Sequence, residues 1–325
     1  MVAHPAKARI PALDVARGIA LSAMIVYHFA WDLSFLGFIE TEVGRDPSWV
    51  TFARAIAGSF LFLVGIGLVL ASEAGQSWGG FFRRLAKVGL AAAAITVATL
   101  VAFPDAFIFF GILHMIAVGS VLALPFLRAP VPLTLIAAAL VLGLPHFVGW
   151  SAFDPLWLAW TGLYETPPPT VDFEPVFPWF GPVLLGVAAG RIIVNTRLRG
   201  VLAGVPVRGR LSRALQTMGR WSLVVYLVHQ PILLGILYPI AMWRAPEPVT
   251  FAQSCIASCE GTGADPALCA RACGCVAQSL ETSGFGHILT ARSVTPEEQA
   301  LVDGVARQCF AAERSGTDSA PDRID

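Results

Sequence analysis

Long apolar stretches fill the first three quarters of this 325-residue sequence and restrict it to folds that keep them out of water. A helix that crosses about 30 Å of hydrocarbon needs about 20 mostly apolar residues. Charged residues make up 14% of the chain, against about a quarter in soluble globular proteins. We therefore predict an all-α, polytopic membrane helix bundle of about seven spans. The predicted spans are residues 13–38, 50–71, 85–103, 107–126, 133–150, 176–194 and 221–243.

Basic residues are unevenly distributed among the loops between these stretches. If the N-terminus is cytoplasmic, most loop lysines and arginines lie inside, and the outer loops hold only Arg45, Arg54 and Arg244. This bias follows the positive-inside rule. It predicts a bacterial inner-membrane protein with a cytoplasmic N-terminus and a periplasmic C-terminal tail. The inner basic residues are Lys7, Arg9, Arg83, Arg84, Lys87, Arg128, Arg191, Arg197, Arg199, Arg208, Arg210, Arg213 and Arg220.

The first span carries an unusual number of ionisable residues. Charged groups inside a membrane are costly and usually face the bundle interior. Because such residues interrupt the apolar run of the first span, we expect a retained helix rather than a cleaved signal peptide. At about 100° per residue, four of them fall within an arc of about 60°, and only Gly18 leaves obvious room in the apolar middle of that face. The four residues are Asp14, Arg17, His28 and Asp32.

Several strings resemble known membrane enzymes. The string LDVARGIALSAMIVYH, with Arg17 and His28 in the spacing R-x10-H, resembles the opening helix of the transmembrane acyltransferase superfamily, which includes the acyltransferase-3 proteins. Four further strings resemble the prokaryotic heparan-α-glucosaminide N-acetyltransferase catalytic-domain-like family, and the resemblance covers about residues 9–243. These strings are SFLFLVGIGL (59–68), FGILHMIAV (110–118), DFEPVFPWFGPVLLG (172–186) and GRWSLVVYLVHQPI (219–232).

The resemblance implies an enzyme that moves an acetyl group from cytosolic acetyl-CoA to a hydroxyl or amine acceptor, such as a cell-envelope sugar, on the far side of the membrane. Arg17 and the basic segment 191–220 suit the donor's phosphates. The imidazole of His28 suits direct transfer as general base, and Asp32 is expected to hold it in one tautomer. Three alternatives stay open: Arg17 as an interfacial anchor, His28 as a satisfied interior residue, and the basic segment as a topological signal.

One motif of the lysosomal family member is missing from this sequence. Its catalytic histidine precedes a Ser-Trp pair in the luminal loop after the first span. The nearest match here is Asp46, Pro47, Ser48 and Trp49, which contains no histidine. The chain instead follows the R-x10-H pattern, so that histidine does not carry over and heparan-type acceptors are not implied.

Other polar residues in the later spans are further candidates for the site. His114 is expected at a depth similar to that of His28 and is the second catalytic candidate. Three residues on one helical face before Pro231 could line the acyl-CoA channel or simply bond neighbouring helices. Two carboxylates at the outer mouth could bind the acceptor or belong to an ordinary solvated loop. The three residues are Ser222, Tyr226 and His229, and the two carboxylates are Asp172 and Glu174.

All six cysteines lie in the last quarter of the chain, where the spacing C-x3-C-x9-C-x3-C places pairs one turn apart on two predicted helices. Disulfides persist outside the cytoplasm. Zinc binding by four cysteines is the alternative, although its usual ligand spacing differs and we predict no metal site. Six cysteines allow fifteen connectivities. An antiparallel hairpin would join Cys255 to Cys273 and Cys259 to Cys269, leaving Cys275 for Cys309.

The sequence thus predicts three regions. Residues 1–244 form the acyltransferase-like membrane domain, residues 245–314 a cysteine-rich helical tail, and residues 315–325 a disordered C-terminus. In the tail, Thr295 and Glu298 form a capping box for a third helix. A net charge of zero argues against nucleic-acid binding. The alternative function is a non-catalytic anchor that displays the tail, or a small-solute transporter, although the internal repeats typical of transporters are not seen.

Overall fold

The computed structural model describes residues 10–244, 251–261, 263–289 and 295–315. All regular secondary structure in these residues is helical. The chain divides into two compact units, Met1–Ala241 and Met242–Asp325.

The first unit contains helices of very different lengths. Five of them are long and apolar enough to cross a membrane: the first, second, third, seventh and tenth. The predicted all-α membrane bundle is therefore confirmed, but its count of seven spans is not. The helices are α1 (Pro11–Phe35), α2 (Pro47–Glu73), α3 (Trp78–Ala102), α4 (Ile112–Leu122), α5 (Val131–Gly143), α6 (Leu156–Ala159), α7 (Val176–Asn195), α8 (Leu198–Gly204), α9 (Arg210–Arg220) and α10 (Ser222–Arg244).

The two remaining predicted spans contain shorter helices. Helix α4 has 11 residues, which is about 17 Å at 1.5 Å per residue. Helix α5 and the turn that follows it cover Val131–His146. Prolines account for the early ends, because a proline lacks the N–H that continues a helix. Pro125 begins a 3-10 turn after α4, and Pro145 lies in the turn that ends α5.

Glycines bring α1 and α9 into direct backbone contact. A Cβ atom added to Gly18 would lie 2.0 Å from the carbonyl oxygen of Leu215, and one added to Gly219 would lie 1.8 Å from that of Asp14. The room that the sequence predicted beside Gly18 is therefore filled by α9. Small residues permit such close approach of helices in membranes.

A second pair of glycines joins α2 to α7 in the same way. A Cβ atom on Gly65 would lie 2.1 Å from the carbonyl oxygen of Val183, and one on Gly186 would lie 2.0 Å from that of Phe62. Fully buried Leu61 is part of the same core as Val183. This crossing fixes the centre of the bundle and, with it, the α2 wall of the cavity described below.

The second unit is a three-helix module with disulfide bonds. Its helices are α11 (Phe251–Gly261), α12 (Pro266–Thr282) and α13 (Pro296–Ser315). The carboxylate of Asp265 accepts a hydrogen bond from the backbone N–H of Leu268 and caps α12. The disulfides are those expected of an antiparallel hairpin: Cys255–Cys273, Cys259–Cys269 and Cys275–Cys309.

Two of the predictions for the second unit concern the start of α13 and the residues that follow this helix. The predicted capping box is present, since Glu298 N–H donates to Thr295 Oγ1 and Thr295 N–H donates to Glu298 Oε2. The tail that we predicted to be disordered, residues 315–325, lies outside the described residues except for Ser315, the last residue of α13.

Candidate active site

A cavity of about 220 Å³ lies among α1, α2, α3, α4 and α10. Three cationic side chains line it, Arg17 from α1 and Arg84 and Lys87 from α3. All three come from the first three turns of their helices. Apolar side chains of α2, α3 and α4 form most of its wall, and two hydroxyl residues of α10, Ser222 and Tyr226, complete it. The cavity therefore combines positive charge with a largely apolar surface.

Arg17 is held in place by its own helix and by α2. Arg17 Nη1 donates to Asp14 Oδ1 at 3.0 Å, and Asp14 is only 2% exposed. A Cβ atom on Gly67 would lie 3.1 Å from Arg17 Nη2, so the guanidinium packs against α2 where that helix has no side chain. Arg84 is close enough to Arg17 for like-charge repulsion. An anion between two such guanidinium groups would relieve that repulsion.

The basic segment 191–220 does not contribute to this cavity. Of the described residues that line it, none comes from that segment. Arg191 instead donates to the carbonyl oxygens of Leu127 and Ala129, which follow α4. In the sequence, Arg84 and Lys87 count only as inner basic residues, yet with Arg17 they supply the positive charge of the cavity.

Aromatic and imidazole rings continue the polar path beyond the cavity. Tyr226 lines the cavity, and the ring centroid of His229, one turn further along α10, lies 5.7 Å from that of Tyr226. The His28 ring lies 4.9 Å from the His229 ring in an edge-to-face arrangement. His28 therefore does not line the cavity itself. It is connected to the cavity through the ring contacts of His229 with Tyr226 and with His28.

The nitrogen atoms of His229 have different environments. Nδ1 donates to the carbonyl oxygen of Tyr226 at 2.6 Å. Nε2 is buried and has no hydrogen-bond partner among the described residues. A neutral imidazole carries one proton, so Nε2 is left as an acceptor. The sequence placed His229 on the face of Ser222 and Tyr226, and the structure brings its ring against His28.

Gln230 connects His28 to Asp32. Its Oε1 lies 2.9 Å from His28 Nδ1, and its Nε2 donates to Asp32 Oδ1 at 2.5 Å. Asp32 is completely buried. The predicted contact between Asp32 and His28 is therefore indirect. Sequence reasoning missed Gln230, although an amide within an apolar span is costly enough to indicate a bonded partner.

His114 uses both ring nitrogens for local hydrogen bonds. Its Nδ1 accepts from the backbone N–H of Gly111 at 3.3 Å, and its Nε2 lies 3.2 Å from Thr96 Oγ1. The Thr96 hydroxyl itself donates to the carbonyl oxygen of Ile108 at 2.7 Å, so His114 is the donor to Thr96. These bonds tie the start of α4 to α3 and favour a structural role. The catalytic role stays a prediction without support from this geometry.

Asp172 lies in the loop before α7 and forms a hydrogen bond with the start of α4. Its Oδ2 accepts from the backbone N–H of Ile112 at 3.3 Å. A Cβ atom on Gly111 would lie 2.2 Å from this oxygen, so the glycine makes room for the carboxylate. Burial raises the pKa of Asp172 to about 6, and the bond from Ile112 opposes that rise.

Glu174 lies two residues further along the same loop, and its backbone N–H donates to the carbonyl oxygen of Phe110 at 3.0 Å. Its Oε2 is buried and has no hydrogen-bond partner in the part of the chain that the structure describes. Burial, followed by the charge of Asp172, raises the pKa of Glu174 well above its ordinary value. Both carboxylates interact electrostatically with Tyr226, so this loop approaches the end of the cavity that leads to His229.

Comparison with known proteins gives one match. A family model described as "Heparan-alpha-glucosaminide N-acetyltransferase, catalytic" matches residues 9–231. This range includes every residue of the cavity, and His28 with its neighbours Asp32, His229 and Gln230. No curated protein and no solved structure matches the chain. The family match covers more than half of the sequence, and the chain therefore belongs to the heparan-alpha-glucosaminide N-acetyltransferase catalytic family, as the resemblance of its motifs predicted.

Proposed function

We propose that the protein is a membrane acetyltransferase of the bacterial inner membrane. It takes an acetyl group from cytosolic acetyl-CoA and delivers it to a hydroxyl or amine of an acceptor, a cell-envelope sugar, on the periplasmic side. One observation carries the proposal: a cavity lined by Arg17, Arg84 and Lys87 leads to Tyr226 and, through ring contacts, to His28. Membership of the family supports the acetyl-transfer reaction.

The cationic side chains account for recognition of the donor. The phosphates of acetyl-CoA would be bound by Arg17, Arg84 and Lys87, because guanidinium and ammonium groups are the usual protein partners of phosphate. The apolar wall suits the thioester arm. His28 lies 11 positions after Arg17 in α1, or about 16 Å along the axis. An extended arm bound at Arg17 can therefore bring its acetyl group toward the histidines.

The transfer step needs a base and one exchange of bonds. The acceptor oxygen or nitrogen attacks the thioester carbonyl, and His28 takes the proton that the acceptor loses. The new acyl bond forms as the carbon–sulfur bond breaks, and the coenzyme leaves as its thiol after taking from His28 the proton that the acceptor lost. No acyl group on the enzyme is required by this scheme.

Glu174 is the better placed of the two carboxylates for binding the acceptor. Asp172 is already bonded to the start of α4, whereas Glu174 Oε2 is buried without a partner among the described residues. A buried polar atom of this kind is costly unless a hydrogen-bond partner reaches it. A hydroxyl or amine of the acceptor would provide that partner.

The proposal is tested by the variant His28→Ala. Membranes that contain the protein are supplied with acetyl-CoA labelled in the acetyl group, and label incorporated into envelope glycan is measured. Loss of a positioned base lowers the rate by about 10² to 10⁴. His146→Ala is the matched control, because His146 is exposed and its one hydrogen bond among the described residues is to the local backbone at Gly143. Full activity of His28→Ala would remove His28 from the mechanism.

A further inference from the structure

The amide of Gln230 lies between a carboxylate and an imidazole, and the carboxylate determines how the amide is oriented. As a carboxylate, Asp32 can only accept hydrogen bonds. The Gln230 nitrogen therefore faces it, as the 2.5 Å contact with Oδ1 requires. With the amide reversed, Gln230 Oε1 would face Asp32 Oδ1, and the two oxygen atoms would repel each other where the carboxylate is completely buried.

The orientation of the amide determines the tautomer of His28. Gln230 Oε1, which faces Nδ1 of His28 at 2.9 Å, has no hydrogen to donate, so Nδ1 must carry the proton. In a neutral imidazole, Nε2 is then unprotonated, which is the form that a general base requires. The edge-to-face contact with His229 limits rotation of the ring from the other side.

We propose that Gln230 is a positioning residue for acyl transfer. It relays the carboxylate of Asp32 to Nδ1 of His28 and so holds Nε2 of His28 as the proton acceptor. The kinetic part of this inference rests on the proposed function. The tautomer does not, because it is a property of the resting protein.

Few side chains other than glutamine fit this position. Leucine has similar volume but provides neither the donor to Asp32 nor the acceptor for His28. The single variant Gln230→Glu, with Asp32 unchanged, would place a second carboxylate against that of Asp32. The double variant Asp32→Asn with Gln230→Glu restores the order of donors and acceptors, since the asparagine amide can donate to the new glutamate, which accepts from His28 Nδ1.

The first experiment measures the tautomer in the unmodified protein. The purified chain, labelled with nitrogen-15 in its histidines and reconstituted in lipid, is studied by solid-state NMR, and the His28 signals are assigned by their loss in His28→Ala. We expect a protonated Nδ1 and an unprotonated Nε2. A proton on Nε2 would overturn the inference. Because this measurement needs no substitution at Gln230, it holds even if Gln230 variants fail to fold.

The second experiment measures turnover. We expect Gln230→Leu to lower kcat by about 10²-fold, the lower end of what a positioned base contributes. The KM for acetyl-CoA should stay within about twofold, because Gln230 is not among the residues that line the cavity. The double variant should recover most of the lost kcat. Gln76→Leu, at an exposed position between α2 and α3, is the control for an equivalent change elsewhere.

The outcomes separate this inference from the proposed function. Unchanged kcat in Gln230→Leu, together with an inactive His28→Ala, overturns the role of Gln230 alone. The same holds if a folded double variant stays as slow as Gln230→Leu. Absence of acetyl transfer by the unmodified protein instead overturns the proposed function, whereas full activity of His28→Ala removes His28, and with it Gln230, from the mechanism. In both cases the NMR measurement decides whether Gln230 still fixes the tautomer.

Discussion

At the scale of single residues, the cations of the cavity differ in their surroundings. Arg17 is paired with Asp14, whereas Arg84 experiences the repulsive charge of Arg17. Two neighbouring guanidinium groups favour the binding of an anion that carries more than one charge. Arg84 is therefore the sharper test of donor binding.

We expect Arg84→Ala to weaken the binding of coenzyme A by about tenfold or more, since a hydrogen bond to a charged group contributes about 1.5–3 kcal/mol. Isothermal titration calorimetry on the purified protein measures the Kd. Arg83→Ala is the matched control, because Arg83 is exposed and its Nε donates to the backbone of Gly79. Equal dissociation constants for the two variants would contradict the proposed donor site.

Asp172 should make stability depend on pH. Burial raises the pKa of Asp172 from 3.8 to about 6, so the folded protein holds this proton over a pH range in which the unfolded chain has lost it. The stabilising contribution is complete below pH 3.8 and is lost as the pH rises through about 6. Asp172→Asn should reduce the fall in Tm between pH 4.5 and pH 7, measured in detergent. A fall equal to that of the unmodified protein and of the exposed control Asp105→Asn would show that Asp172 is not responsible.

Sequence patterns identified the α1 residues because four ionisable groups on one face of an apolar helix need partners. Gln230 escaped notice because an amide has no formal charge and its partners His28 and Asp32 are about 200 positions away in the sequence. Arg84 and Lys87 were not predicted to line a cavity, for another reason. The positive-inside rule explains inner basic residues whether or not they bind a ligand.

At the scale of helices, hydropathy located every long span, but the lengths of α4 and α5 depended on local backbone chemistry. Prolines end both helices early, and a hydropathy average does not register the loss of one N–H. The close contacts through glycine were also hidden. Glycine permits close packing, but the sequence does not show which backbone occupies the space.

The α1–α9 crossing predicts a strong effect at Gly18. A methyl group there would lie 2.0 Å from the carbonyl oxygen of Leu215, so α9 must move. We expect Gly18→Ala to lower stability by about 1–3 kcal/mol, the usual range for overpacking, as measured by thermal unfolding in detergent. Gly58→Ala is the control, because a Cβ atom at Gly58 in α2 would have nothing within 4 Å. Similar Tm values for both variants would argue against a tight crossing.

At the scale of the whole molecule, the chain combines a membrane unit that contains the candidate site with a small unit joined by three disulfides. Disulfides persist in oxidising compartments. The charge bias of the loops independently predicts that the tail lies outside the cytoplasm. Together they make the orientation of the chain testable through its cysteines.

We expect a membrane-impermeant thiol reagent, added to cells with a permeabilised outer membrane, to label the protein only after reduction. All six cysteines are paired within the second unit. Labelling is measured by the mass shift of the purified chain. Labelling before reduction would contradict the disulfides, and no labelling after reduction by an impermeant reductant would contradict a periplasmic tail.

The glycine contacts described above hold two pairs of helices in a fixed position relative to each other. Where α1 meets α9 and α2 meets α7, main chains touch at van der Waals distance, so neither pair can slide without a collision. The two crossings therefore form a fixed frame for the residues of α1 and α2 that line the cavity.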